Sequence, residues 1–448
     1  MVIRIDKGLF FMIQHNFDND LPRTPDDPAS VLAWEQGTNI WSEELFRRMN
    51  CDESRVDRVP LPALPDTLEA WQSERENILQ AFKDVMYGVM PPEPDKLELR
   101  KLSEKKGVLD GSADRYEYRV ICRMDNGREF DFDMLLYVPA DKPDAPVFLT
   151  LNFKGNQAVA EEDDVRITRS AMYIPGRWHA SEPSDGARSF QLEHLNAREA
   201  VKRGYAVTTA CYGEIFPDNL DGFRKSIFTL FYDEDDLRSD CERSLQELQT
   251  KPLRNISAIG GWAWGLSRMV DALEKLNFSE FAVVGHSRLG KAALWAGAND
   301  ERFKLVVSNN SGHGGAAPSR HILGETLTML WSIRSNWFCG RMARYAGLEN
   351  DLPIDQHQLL ALIAPRSVYV GSSSLDAVAD PRGEFISAKT ASKVWELYGL
   401  SGLNEADMPS ENHPVGDMVG YHVKTGKHSL TAYDWVQYYN HADKVFGK

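Results

Sequence analysis

Phe281-Ala282-Val283-Val284-Gly285-His286-Ser287-Arg288-Leu289-Gly290-Lys291-Ala292-Ala293-Leu294-Trp295-Ala296-Gly297 is the stretch on which the reading of this chain turns. Four apolar residues run straight into Gly285, the pattern of a short strand buried on both faces. From Lys291 onward Ala, Leu and Trp occupy helix-compatible positions. A serine at a sharp turn between such a strand and a helix is a nucleophile elbow. The turn lifts the hydroxyl above the sheet edge, and the helix N-terminus behind it favours developing negative charge. One detail departs from the usual pattern. The regular elbow has glycine two residues after the serine, whereas Leu289 stands there and the glycine is Gly290. An ordinary strand-to-helix turn could carry the same string, so the rest of the chain has to decide.

Composition bounds the answer. The 448 residues suit two or three average domains, or one α/β domain with insertions. A net charge of −15 argues against nucleic acid as a partner, and means that an anionic substrate needs a local basic pocket. Cys51, Cys122, Cys211, Cys241 and Cys339 show neither CxxC nor Cys/His metal spacing and read as buried or free thiols. No run approaches 18 apolar residues, so no membrane span is expected. Gly8 to Ile13 is apolar but too short for a signal sequence and has no small-residue cleavage site. The chain as written therefore reads as cytoplasmic, or as secreted or periplasmic if its start is misassigned. A monomer is expected, with no cofactor and no metal. His422 and His428 lie six apart without an obvious carboxylate set for a metal.

Taken in order, residues 1–66 read as an N-terminal extension that packs on the core, with a short helix near 31–41. Residues 67–448 read as the catalytic domain. Apolar spacing predicts a helix over 67–87, stopped by Pro91-Pro92. Asp125-Asn126-Gly127 between two alternating runs predicts a hairpin. Strands are expected at 147–153, 205–210, 281–284, 305–308 and 367–371, and helices at 194–203, 259–276, after the elbow, and at 432–446. The polar stretches 157–193 and 211–255 are long for loops and suggest insertions that build a site. Strands alternating with helices after a starting hairpin give an α/β fold with a mostly parallel central sheet and helices on both faces. With the elbow, that is the α/β-hydrolase fold.

This fold delivers an acid and then a histidine after the nucleophile, in that chain order. The loop after the late strand 367–371 offers Asp376 and Asp380, and the segment 421–430 offers His422 and His428. His428, just before the last helix, is the preferred base, because imidazole takes the serine proton and returns it near neutral pH. An aspartate fixes its tautomer and stabilises the imidazolium. Asp376 is preferred to Asp380, whose neighbour Pro381 suits the start of a turn.

The string Gly285-His286-Ser287-Arg288-Leu289-Gly290-Lys291 resembles the glucuronoyl esterases of carbohydrate esterase family fifteen, whose elbow carries Ser-Arg-x-Gly-Lys. Further segments are similar to bacterial members: Leu151 to Asn156, Gly261 to Arg268, Asn309 to Ala316, Asn336-Trp337-Phe338, Leu362 to Arg366 and Gly426-Lys427-His428. The similarity spans roughly residues 67–440. It implies hydrolysis of esters between 4-O-methyl-glucuronate of xylan and lignin alcohols, with Ser287, His428 and Asp376 as the triad. It also implies that Arg288 supports the oxyanion through its N–H and guanidinium, and that Lys291 and Trp337 bind the sugar. Two positions depart from the family. Asn310 stands where many members carry a glutamate that serves as triad acid, which leaves the role to Asp376. Val378 stands where members tend to carry a tryptophan lining the sugar subsite, and a lost stacking ring costs on the order of 1 kcal/mol. The rival readings are an acetylxylan esterase or another carboxylesterase, and a non-catalytic carbohydrate-binding descendant. The first leaves Arg288 and Lys291 without a purpose, and the second leaves the complete triad without one.

Overall fold

Short strands made of apolar and small residues on both faces must be covered on both faces, and that requirement shapes the molecule. The computed structural model describes residues 60–170, 185–238 and 253–448. The expected helix near 31–41 and the middle parts of both polar insertions lie outside the described residues. The strands are β1 (Lys96–Val108), β2 (Ala113–Arg123), β3 (Glu129–Pro139), β4 (Val147–Asn152), β5 (Ala206–Cys211), β6 (Phe281–His286), β7 (Phe303–Asn309), β8 (Ser367–Ser373), β9 (Val415–Gly416) and β10 (Val419–Lys424). They form one ten-stranded sheet in the order β1-β2-β3-β5-β4-β6-β7-β8-β10-β9. The six strands from β5 to β10 in that order are parallel, and β1, β2, β3 and β9 pair antiparallel at the two ends.

The elbow strand β6 lies in the middle, between β4 and β7, in register Val283↔Leu149 and Val283↔Val306. Its side chains alternate between two cores. Phe281 and Val283 join Trp262, Trp295 and Trp395 on one face, whereas Ala282 and Val284 join Phe148, Trp435 and Tyr439 on the other. The helices Leu68–Val85, Ala258–Lys275, Arg288–Asn299 and Pro381–Leu397 contribute to the first layer, and Ala197–Lys202 and Ala432–Val445 to the second. The helix Leu68–Val85 starts at Thr67, whose hydroxyl accepts from Ala70 N at 3.2 Å, and buries Trp71, Ile78, Leu79 and Phe82. The short segment before it is tied down where the His357 ring donates to Pro62 O at 2.8 Å. Among the described residues no helix is long and apolar enough to cross a membrane, and Cys122, Cys211 and Cys339 are buried free thiols.

Three features differ from the expectation. β1 is a charged edge strand, Lys-Leu-Glu-Leu-Arg-Lys and onward, whose lysines and glutamates guard the sheet edge. Tyr421 to Lys424, expected as loop, belongs to β10, parallel to β8. The helix at 194–203 is two short helices, Leu192–Leu195 and Ala197–Lys202, joined by Asn196 at φ 50°. The hairpin is present: Gly127 takes φ 87°, and Gly127 N donates to Met124 O at 2.9 Å.

Candidate active site

The carboxyl ends of β6, β7, β8 and β10 lie side by side, the place where open parallel sheets put their ligands. Ser287 sits there with φ 56° and ψ −129°, a backbone conformation that costs about 1–3 kcal/mol for a residue with a side chain. Two backbone bonds hold it: Ser287 N donates to Asn309 O at 2.9 Å, and Gly290 N donates to Ser287 O at 2.8 Å. The glycine spacing now has a cause. A Cβ at Gly285 would lie 2.0 Å from Leu289 O, and a Cβ at Gly290 would lie 2.9 Å from Ser311 Cβ. The close approach of the β7 loop falls at Gly290, so Leu289 two residues after the serine is free to join the core.

Two of the residues singled out from sequence are brought into direct contact. His428 Nδ1 lies 2.6 Å from Asp376 Oδ2. An ionised carboxylate only accepts, so Nδ1 carries the proton and Nε2 is left as the basic nitrogen. The His428 ring packs 4.6 Å, centroid to centroid, from His286, the residue before Ser287. Backbone bonds extend the β8–β10 pairing into both loops: Ser374 N to Lys424 O and Leu375 N to Gly426 O, each 2.8 Å. Lys424 Nζ donates to Ser429 O at 2.5 Å and pairs with Asp434, fixing the chain immediately after His428. Asp434 also closes the capping box of the final helix, where Thr431 N donates to it at 2.7 Å.

The alternatives sit elsewhere. Asp380, at φ 54°, caps the helix Pro381–Leu397 by accepting from Gly383 N at 2.9 Å, and it pairs with His321. His422 is buried in β10, where Nε2 meets Asp434 Oδ1 at 2.9 Å and Nδ1 meets the Tyr369 hydroxyl at 3.1 Å. Burial pulls its pKa below the usual histidine value.

A cationic cluster surrounds Trp337, which is 4% exposed. The Arg288 guanidinium, Lys291 Nζ and the Arg334 guanidinium lie 4.8, 5.8 and 5.9 Å from its ring centroid. Arg288 also lies 5.5 Å from the Phe153 ring. Lys291 is 2% exposed and donates to Ser311 O and, at 2.8 Å, to His313 O. Burial pulls its ammonium down to about 8, opposed foremost by the charge of Glu325.

Asn310 is buried at φ 46°. Its Nδ2 donates to Ser373 Oγ at 2.8 Å, while Oδ1 is buried with no hydrogen-bond partner. Val378 is buried in the turn Ala377–Ala379, and its carbonyl accepts from Glu325 N at 3.2 Å.

The sequence reading did not single out Asp218 or Glu384. Asp218 accepts from Arg288 Nη1 at 2.6 Å, Trp337 Nε1 at 2.7 Å and Asn336 Nδ2 at 3.0 Å. Glu384 accepts from Ser311 N at 2.8 Å, Gly312 N at 3.0 Å and Ser372 Oγ at 2.6 Å. It thereby ties the β7 loop to the end of β8. Burial pushes its carboxyl up to about 8 in spite of those donors, and the charge of Asp376 adds to the rise. No local pattern marks either residue.

A family model for fungal glucuronyl esterases matches residues 250–399. Carbohydrate esterase MZ0003, from an unknown prokaryotic organism, is 35% identical over 439 residues, which is 93% of this chain and 96% of that protein. The solved glucuronoyl esterase of Solibacter usitatus is 36% identical with a TM-score of 0.78, covering 88% of this chain and 100% of that one. A 4-O-methyl-glucuronoyl methylesterase of Hypocrea jecorina is 34% identical over 156 residues, 32% of this chain and 34% of its own length.

Proposed function

The chain belongs to the glucuronoyl esterases of carbohydrate esterase family fifteen, and from that premise we propose that it hydrolyses esters of 4-O-methyl-glucuronic acid through an acyl-enzyme on Ser287. One observation carries the reading: the hydrogen-bonded Asp376–His428 pair packs against the elbow that presents Ser287, with Arg288 and Lys291 on the same elbow helix. In this reading Ser287 Oγ attacks the ester carbonyl carbon and His428 Nε2 takes its proton. Asp376 stabilises the imidazolium that results. The carbonyl electron pair moves onto oxygen, where Arg288 meets it with backbone N–H and guanidinium. Collapse expels the alcohol, which takes the proton back from His428. Water, deprotonated by His428, then attacks the acyl carbon, the bond to Ser287 Oγ breaks, and Oγ takes the proton from His428 as the uronic acid is released. Lys291 and Trp337 bind the sugar in this scheme. We take the working unit to be a monomer that binds carbohydrate and not nucleic acid, which light scattering with and without added RNA checks.

The experiment is a comparison of kcat/KM on methyl 4-O-methyl-glucuronate, methyl galacturonate and acetylated xylan. The glucuronate ester is expected to be fastest. A higher rate on acetylated xylan makes the chain an acetyl esterase, and this assignment is then wrong.

A further inference from the structure

We propose that Asp218 is a positioning residue for the reaction, the buried carboxylate that sets the guanidinium of Arg288 and the indole of Trp337 in their working places. The inference rests on the reading that Arg288 stabilises the oxyanion formed at Ser287. Asp218 lies in the second polar insertion, far in sequence from everything it holds. Its side chain has no exposed surface, and it accepts from Arg288 Nη1, Trp337 Nε1 and Asn336 Nδ2 at 2.6, 2.7 and 3.0 Å. One carboxylate thus gathers two of the groups that the proposed reaction uses.

The carboxylate is itself held firmly. The preceding Phe216 packs edge-on against Phe223 at 4.8 Å and Trp262 at 6.1 Å, and its carbonyl accepts from Trp262 Nε1 at 3.0 Å. Pro217 fixes the backbone next to Asp218, and a Cβ at Gly222 would lie 2.1 Å from Pro217 O. A rigid anion on a rigid turn restricts a long, flexible arginine to one orientation. The guanidinium offers five N–H donors in a plane. Engaging Nη1 with Asp218, between the rings of Phe153 and Trp337, fixes that plane and so fixes where the other donors point. Oxyanion stabilisation depends on donors placed before the charge forms. Loss of Asp218 therefore acts on the transition state through Arg288, even though the local positive charge rises.

The test is a double-mutant cycle with Asp218→Asn and Arg288→Ala, measuring kcat and KM on methyl 4-O-methyl-glucuronate and on p-nitrophenyl acetate, with thermal melting of each protein. Asp218→Asn alone is expected to lower kcat at least tenfold with KM within about threefold of wild type. In the Arg288→Ala background the same change should alter kcat less than twofold. If Asp218→Asn fails to fold, Trp337→Phe, which keeps a ring but removes one donor to Asp218, supplies the second arm. It should lower kcat in the wild-type background and much less in Arg288→Ala. Three outcomes overturn the proposal: equal losses in both backgrounds, which mark a merely structural role; an unchanged kcat; or a raised kcat, which marks Asp218 as damping the cation. If the wild type cleaves p-nitrophenyl acetate but not the glucuronate ester, the substrate assignment falls, and the cycle on the acetate still decides the role of Asp218.

Discussion

Replacing Asp376 by asparagine should nearly abolish turnover, and the geometry says by how much. His428 Nδ1 is 2.6 Å from Asp376 Oδ2, in a contact where the aspartate side chain is 2% exposed and the histidine 20%. During attack the imidazole becomes a cation whose charge centre lies about 4 Å from that of the carboxylate. At an effective dielectric near 20 such a pair is worth about 4 kcal/mol, or about three orders of magnitude in rate. Asparagine removes that charge and can also present N–H₂ to Nδ1, which forces the wrong tautomer, so a loss of roughly 10,000-fold is expected. Asp380→Asn is the control. Asp380 caps a helix, asparagine caps about equally well, and kcat should stay within a few-fold of wild type. Adding Asn310→Glu to Asp376→Asn should restore part of the rate. Position 310 is buried beside Ser373, three residues before 376, and has an acceptor atom without a hydrogen-bond partner. The assay is steady-state hydrolysis of a methyl glucuronate ester at pH 7. If Asp376→Asn keeps more than a tenth of the wild-type rate, the acid is elsewhere.

His428→Ala should be inactive, whereas His422→Ala should keep most of its kcat while melting at lower temperature, because His422 donates to the Asp434 hub inside the sheet; the reverse order in a rate assay would exchange their roles. Arg288→Ala should lower kcat about 100- to 1,000-fold, the usual worth of an oxyanion donor; an effect on KM alone makes it a substrate clamp. Glu384→Gln should flatten the dependence of melting temperature on pH. The folded carboxyl binds its proton up to about pH 8 against the ordinary 4.5, so the wild type loses stability as pH rises from about 4.5 to about 8, at up to about 1.4 kcal/mol per unit. Melts of both proteins across that window check it, and parallel curves contradict it.

The parts of the fold that were legible are those where local pattern and burial agree. β4, β6 and β8 are short apolar runs because both faces of the sheet are covered. The elbow was visible because a buried apolar strand runs into Ser287 and a helix follows at once, with an acid and a histidine available later in chain order. Chain order then pointed to the two loops that the structure brings into contact through Asp376 and His428. β1 was missed because an edge strand facing solvent carries charge along most of its length. β10 was misread as loop because it buries His422 and Lys424, polar residues that the sheet interior tolerates because Asp434, Tyr369 and the Ser429 carbonyl meet them. Asp218 meets Arg288 across 70 residues and Glu384 meets Ser311 across 73, so no local pattern in the sequence signals those contacts.

In the proposed reaction Ser287 attacks a uronate ester whose carbonyl oxygen faces Arg288. A crystal structure of Ser287→Ala with methyl 4-O-methyl-glucuronate bound tests it most directly. The ester carbon is expected above position 287, its carbonyl oxygen within hydrogen-bonding distance of Arg288, and the sugar ring beside Lys291 and Trp337. A sugar bound away from the elbow, or an ester with its alcohol side toward Arg288, contradicts it.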